Sequence, residues 1–526
     1  MKRLILLTVV AVLVLSGYSC KEKQVTEEEV LAVIDSFEHK LDWVNHRIAQ
    51  ESWRLFVNGP SDSLEFYQRL RDYVISDREA WSILIRGDRF VKGEDDQRRL
   101  QLLFATLLRG TVEADAEVRQ LRDSLMQVLV SFEPEFDGQR AGVDQLAGIM
   151  RSDDSRARRE MAYLATNAVG ERLADGLSRL IRLRNQKARK LGYNNFFAMA
   201  FDKRSISLQQ YLTLLKQVDS LTASPYLAVL ERLSQSRSSQ AIDVFDLAHG
   251  YAPVLAEVDG YFPTEGQLDI LRAGMADLGF DLDKLPIYDA IDESADGHPT
   301  AHTLTVDCPF DQRVIARPGP GLDGQEMLLA AYGRAVHAAY IAEKSPLYKV
   351  VDGAWAEGMA RLFSDLGSDS RWLTDYAGVP SSTVTRFQQA QRDMVLIDLR
   401  MMLVRLKFEY EAYTSPRADL NKLYWDIFEQ VTSLPRHEEI KPWAAVPSLL
   451  TEPVGSPGDL LGEIVARQTL DYLQEVNGAV VGTRETRSFL VQNYFRFGGR
   501  YSWSELLERG TGESLNPSVL VADLNP

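Results

Sequence analysis

Cysteine is nearly absent from this chain of 526 residues, which carries only Cys20 and Cys308. With Cys20 modified, as argued below, one thiol remains, so there is no intrachain disulfide and no thiolate zinc site, which needs at least two sulfurs. Histidine is also scarce, at seven residues: His39, His46, His249, His298, His302, His337 and His437. None belongs to an H-E-x-x-H motif, in which two histidines four apart on a helix grip one metal. His298 and His302 have that spacing, but Pro299 lies between them, and His437-Glu438 lacks the second histidine. There is no G-x-S-x-G elbow for an acyl-transfer serine. Positive charge is short as well, with 59 Lys+Arg against 75 Asp+Glu and a formal charge of −16. Such a surface repels phosphate backbones, and no basic stripe offsets it, so nucleic acid is not an expected partner. Internal repeats and low-complexity linkers are lacking too.

What is present begins with Lys2-Arg3, an apolar run from Leu4 to Leu15, and Ser16-Gly17-Tyr18-Ser19-Cys20. A positive start, a short apolar stretch and small residues describe a secretory signal over residues 1–20. The run is too short to span a bilayer, which takes about 20 residues. The terminal cysteine makes the segment resemble a bacterial lipoprotein signal, with Cys20 as the lipidated first residue and the chain held in the cell envelope. Gly17 departs from the leucine usual there. The alternative is plain secretion with Cys20 left as a free thiol.

From Thr26 onward the pattern is helical. Val30, Ile34, Phe37, Leu41, Val44 and Ile48 alternate spacings of four and three, with Thr26 and Glu29 as a capping box and Gly59-Pro60 as the stop. Leu173, Leu177, Leu180, Ile181, Ala188 and Leu191 repeat the pattern up to Gly192. Arg179, Arg182, Arg184, Lys187, Arg189 and Lys190 read as a solvated face of that helix. Strand-like segments are short: Ala301 to Val306 and Arg313 to Ala316, around Pro309-Phe310-Asp311. The expected class is mostly α with one small sheet.

Gly319-Pro320-Gly321-Leu322-Asp323-Gly324 fits G-x-G-x-x-G, but Pro318 and Pro320 offer no N–H to a pyrophosphate and no strand–helix alternation surrounds them. The segment reads instead as a loop launching a helix, with Asp323 as N-cap and Glu326 closing a capping box. Cys308 has no recognisable catalytic partner and reads as a buried inert thiol.

The next helix, Met327-Leu328-Leu329-Ala330-Ala331-Tyr332-Gly333-Arg334-Ala335-Val336-His337-Ala338-Ala339-Tyr340, resembles the active-site helix of the peptidyl-dipeptidase A (angiotensin-converting-enzyme-like) zinc peptidases, whose pattern is L-L-H-E-x-G-H-A-x-H. Further landmarks follow in order. His302 to Arg317 is similar to the family's substrate-facing strand pair, and Trp355-Ala356-Glu357-Gly358-Met359-Ala360-Arg361 to the helix bearing the third zinc ligand. Leu460-Leu461-Gly462-Glu463 and the tail from Trp503 to Pro517 resemble the C-terminal helices. Leu183-Arg184-Asn185 with Leu191-Gly192-Tyr193 adds a match nearer the start. The resemblance implies a large two-lobed helical clamshell with a deep cleft over residues 21–526.

At the chemical positions the resemblance breaks down. The two metal histidines fall at Ala330 and Arg334, the general base falls at Ala331, and only the third ligand, Glu357, is kept. Alanine offers no lone pair, and arginine places a permanent positive charge where the ion would sit. Arg361 replaces a supporting acid, and Ser448 stands where a carbonyl-holding histidine is expected; His302 is kept in the cleft strand. His337, one turn beyond Arg334, could approach Glu357, but two ligands do not hold zinc. The expectation is therefore a chain without zinc, in which Arg334, with Arg361 as a second candidate, forks onto Glu357; the alternative has each side chain reaching water. Functionally this implies an envelope-anchored pseudopeptidase that binds a peptide or protein partner in its cleft. The alternatives are a hydrolase using a non-standard site, or an assembly subunit with an idle cleft.

Overall fold

The computed structural model describes residues 25–524 apart from 203, 237–240 and 294–297. The expected signal segment and Cys20 lie outside the described residues. The first helix, α1 (Glu27–Asn58), starts as its sequence dictates. The Thr26 hydroxyl accepts from the Glu29 N–H at 3.2 Å, and the Glu29 carboxylate accepts from the Thr26 N–H at 3.0 Å. Val30, Ile34, Phe37, Leu41 and Val44 form its buried stripe, while beyond them Ala49 rather than Ile48 turns inward. Gly59, at φ +89°, ends it in a conformation that a side chain would strain.

After four further helices, Asp62–Ile75, Arg78–Gly87, Glu94–Glu113 and Ala116–Val130, comes a short hairpin, β1 (Glu135–Phe136) and β2 (Gln139–Arg140), turned by Asp137 and Gly138 with φ of 51° and 75°. It is a second sheet where the sequence suggested one. Helices α2 (Val143–Ser152), α3 (Arg156–Asn167) and α4 (Val169–Lys190) come next. In α4 the apolar stripe is buried as expected, but Leu191 is exposed and Arg184 is not on a solvated face. Arg184 is fully buried: Nε and Nη2 donate to Glu113 at 2.7 and 2.9 Å, and Nη1 donates to the Leu449 carbonyl at 2.6 Å. Its neighbour Asn185 donates to the Tyr413 carbonyl at 2.8 Å. The periodicity was compatible with burial at this edge, and the carboxylate that makes burial tolerable comes from a distant helix.

The central sheet has the order β3 (Ile287–Ile291), β5 (Asp311–Arg317), β4 (Thr300–Asp307). Its antiparallel β4–β5 hairpin was legible in the sequence; β3, which pairs in parallel with β5, was not. Helices α5 (Leu322–Ala339), α6 (Gly353–Leu366), α7 (Ser381–Thr414) and α8 (Pro457–Asn477) complete the frame. Thr303 of β4 donates to the Ala331 carbonyl at 2.6 Å and ties the sheet to α5. Two close approaches lock α5, α6 and α8. A Cβ on Gly333 would lie 2.6 Å from the Phe363 ring, and one on Gly462 would lie 2.7 Å from the Gly358 nitrogen and 2.9 Å from the Glu357 Cβ. The architecture is mostly α, a two-lobed helical clamshell about a deep cleft, and α7 runs along that cleft as a helix of 34 residues.

Candidate functional site

The site is set by where α5 begins. Asp323 does not cap it and Glu326 closes no capping box, contrary to the sequence reading. The N-cap is Gly321, at φ +92°, and the first free N–H, on Leu322, is met by Asp259 Oδ1 at 3.0 Å. This frees both acids for other contacts. Asp323 meets Arg151 at 3.0 Å, and Glu326 accepts from the Ser368 hydroxyl.

Two turns further along α5 stands the position that the resemblance assigns to zinc. Arg334 and Glu357 are joined there: Arg334 Nη2 lies 2.9 Å from Oε1 and 2.8 Å from Oε2. One nitrogen straddles both oxygens, in place of the two-nitrogen fork expected. The pair is open to solvent, with side chains 35% and 46% exposed, and neither residue lines the two cavities described below. Pairing and hydration, posed as alternatives by the sequence, therefore coexist. Ala330 is half-buried and Ala331 is buried, with its carbonyl taken by Thr303.

Arg361 does not join Glu357. Its Nε lies 2.9 Å from Asp365 and 3.0 Å from Glu463, and Arg467 holds the other Glu463 oxygen at 3.0 Å. Burial opposes the charge on Glu463, but Arg361 and Arg467 keep its carboxyl below the usual range. Burial pushes the neighbouring Glu326 up to about 7, against the Ser368 hydrogen bond. His337 is buried against Phe495, with ring centroids 4.8 Å apart, and burial lowers it to about 4. It is a packed core histidine rather than a partner of Glu357. His302 is exposed on β4, its Nε2 2.7 Å from the Thr300 hydroxyl, and lines neither of the two cavities described next.

The larger of the two cavities, about 580 Å³, is lined by Met150, Tyr163 and Phe245 and by the charged Glu326, Arg361 and Asp398. The smaller, about 190 Å³, includes Ser448, which the sequence placed in the cleft; Tyr163, Asn167 and Met401 line both. Sequence reasoning missed the α7 residues. Met394, Asp398, Met401 and Arg405 recur at helical spacing, and charges interrupting an apolar stripe were the available signal.

These side chains do not suit a zinc ion. Ala330 and Ala331 bring no donor, and the guanidinium of Arg334 occupies both oxygens of Glu357. Among the described residues no group of three His, Cys, Asp or Glu could hold a metal.

The architecture defines the class first: a helical, metallopeptidase-like fold. The chain is similar over 94% of its length, and over 97% of the other's, to the crystal structure of an M32 carboxypeptidase from Deinococcus radiodurans R1, with a TM-score of 0.63. Identity is 14%, so the likeness carries the fold alone and does not single out the peptidyl-dipeptidase A family. No family model and no curated protein matches the sequence.

Proposed function

We propose that this chain is a pseudopeptidase of the peptidyl-dipeptidase A-like type, anchored in the bacterial envelope through Cys20, which binds a peptide or protein in its cleft without cutting it. The observation that carries the reading is the Arg334–Glu357 pair. A fixed positive charge stands where hydrolysis would need a Lewis acid, and no base replaces Ala331. Loss of metal, base and carbonyl-holding groups removes the named sources of rate acceleration while leaving a cavity large enough for side chains.

The test is zinc titration of the purified chain, followed by incubation with a mixed oligopeptide library read for both capture and cleavage. The expected result is peptide retention with no stoichiometric zinc and no new termini. Tightly held zinc together with cleavage would sink the proposal. A triple variant, Ala330→His, Ala331→Glu and Arg334→His, restores three ligands with Glu357 and is expected to gain zinc binding, whereas Arg334→His alone is not.

A further inference from the structure

The segment 448–456 supplies part of the wall of the smaller cavity, through Ser448, Leu449 and Ser456, before the chain enters α8. Its backbone is held in an unusual way. Val454 has a φ of 58°, and of the three non-glycine residues with positive φ among the described residues it alone is β-branched. A branched side chain crowds the neighbouring carbonyl in that left-handed region, so the conformation is strained and persists only where its surroundings impose it. Val454 is also fully buried. Ionisable side chains from elsewhere in the chain hold it there. Its N–H donates to Glu409 Oε1 at 2.7 Å, and its carbonyl accepts from Arg204 Nη2 at 2.7 Å. Arg184 secures the same segment upstream, at the Leu449 carbonyl. Within the turn the Gly455 N–H returns to the Glu452 carbonyl at 2.8 Å, which leaves both polar groups of Val454 to Glu409 and Arg204.

Of these three side chains only Glu409 changes charge near neutrality. Burial lowers Arg204 to about 10, which leaves it a cation. Burial pushes the Glu409 carboxyl up to about 7; Asp459 adds to the rise, while the Val454 N–H, Arg184 and Arg204 oppose it. Tyr211, on the Leu208–Ser236 helix, and Tyr413, on α7 itself, also face Glu409, and burial raises both phenols far enough to keep them neutral. Arg405, one turn earlier on α7, lines the same cavity. Asp459, at the start of α8, is raised to about 6 by burial and is the other group that titrates close by. A hydrogen bond to a carboxylate is about twice as strong as one to a neutral acceptor, so a proton on Glu409 weakens the hold on a residue that is already strained.

We propose that Glu409, together with Arg204, latches the 448–456 turn in the shape that walls the smaller cavity, and that protonation of Glu409 releases the turn and loosens the cleft's grip on its ligand. Glu409 acts through the turn and is a positioning residue. The inference concerns regulation of the site in the peptide-binding reading, and it rests on that reading only for the effect on a ligand.

The test is hydrogen–deuterium exchange of the mature chain at pH 6 and pH 8, corrected for intrinsic exchange and read by mass spectrometry over residues 448–456. Protection there is expected to be about fivefold or more greater at pH 8, with that of α1 level between the two. Glu409→Gln should hold the segment at its pH 6 protection throughout, and Asp459→Asn should keep the difference. Equal protection at both pH values in the parent, or a difference that survives in Glu409→Gln, would overturn the latch. Should Glu409→Gln not fold, Val454→Gly replaces it: glycine takes a positive φ without strain, so the pH difference should shrink, and a difference of full size would count against the latch. Capture of the mixed oligopeptide library is expected to be several-fold greater at pH 8, and equal capture at both pH values overturns the control of the cleft by the turn. No capture at either pH, with the exchange difference present, leaves the latch standing and removes the peptide-binding reading.

Discussion

Arg334 shows how little a conspicuous ion pair has to contribute to stability. Both partners are roughly a third to a half exposed, so water screens the attraction and both side chains lose rotamer freedom. Arg334→Ala should cost less than about 1 kcal/mol in urea denaturation; a loss near that of a buried pair would show that the cleft closes over it. Glu326 is different, because burial raises its carboxyl to about 7 from an ordinary value of 4.5. The folded chain therefore holds this proton more tightly than the unfolded chain. Its contribution is fully present below pH 4.5 and is lost as the pH rises through about 7. Glu326→Gln should raise the melting temperature relative to the parent at pH 8 and lose that advantage by pH 4.5. The opposite ordering in a thermal scan would mean that Ser368 and Arg361 outweigh burial. The Arg334–Glu357 contact was legible in the sequence because both residues lie in recognisable helices. The environment of Glu326 was not, because its helix is capped by Asp259 from a remote segment.

Among the elements, α4 and α8 carry the constraints most exposed to test. Arg184 fastens α4 to the 449–450 carbonyls beside the smaller cavity, and Glu113 neutralises it. Arg184→Ala would strand Glu113 and those carbonyls, with an expected loss of about 3–5 kcal/mol and a matching fall in the urea midpoint. Gly462→Ala brings a methyl group to 2.7 Å from a backbone nitrogen that no rotamer can move aside. A loss of about 1–3 kcal/mol is expected there, whereas the same change at exposed Gly142, where nothing lies within 4 Å of the added carbon, should be nearly silent. Both losses are measurable by the same denaturation. Helix starts and stripes such as Thr26 to Val44 were legible because their causes lie within a few residues. The strand 287–291 and the burial of Arg184 were hidden because their partners lie far away in the chain, which a period of 3.6 or 2 does not report.

At the scale of the whole molecule, the clamshell was legible only through ordered landmarks, each modest alone. Composition argued against nucleic acid as an expected partner but did not specify a cleft. The proposed anchor makes one prediction at this scale. Cys20→Ala should move the chain from the membrane fraction to the soluble fraction and abolish incorporation of labelled fatty acid, with cleft binding unchanged. Retention in membranes without a cysteine would remove the anchor from the proposal while leaving the fold and the pocket as they are.

The contact between Gly358 and Gly462 has a consequence for how readily this molecule could be retrofitted. Because two backbones touch beside it, the mount for Glu357 is machined by main chain rather than by packing that an ion would have to organise. If the position is the zinc site the resemblance assigns, one bracket of its socket is thus already rigid, and only a single turn of the facing helix needs new fittings.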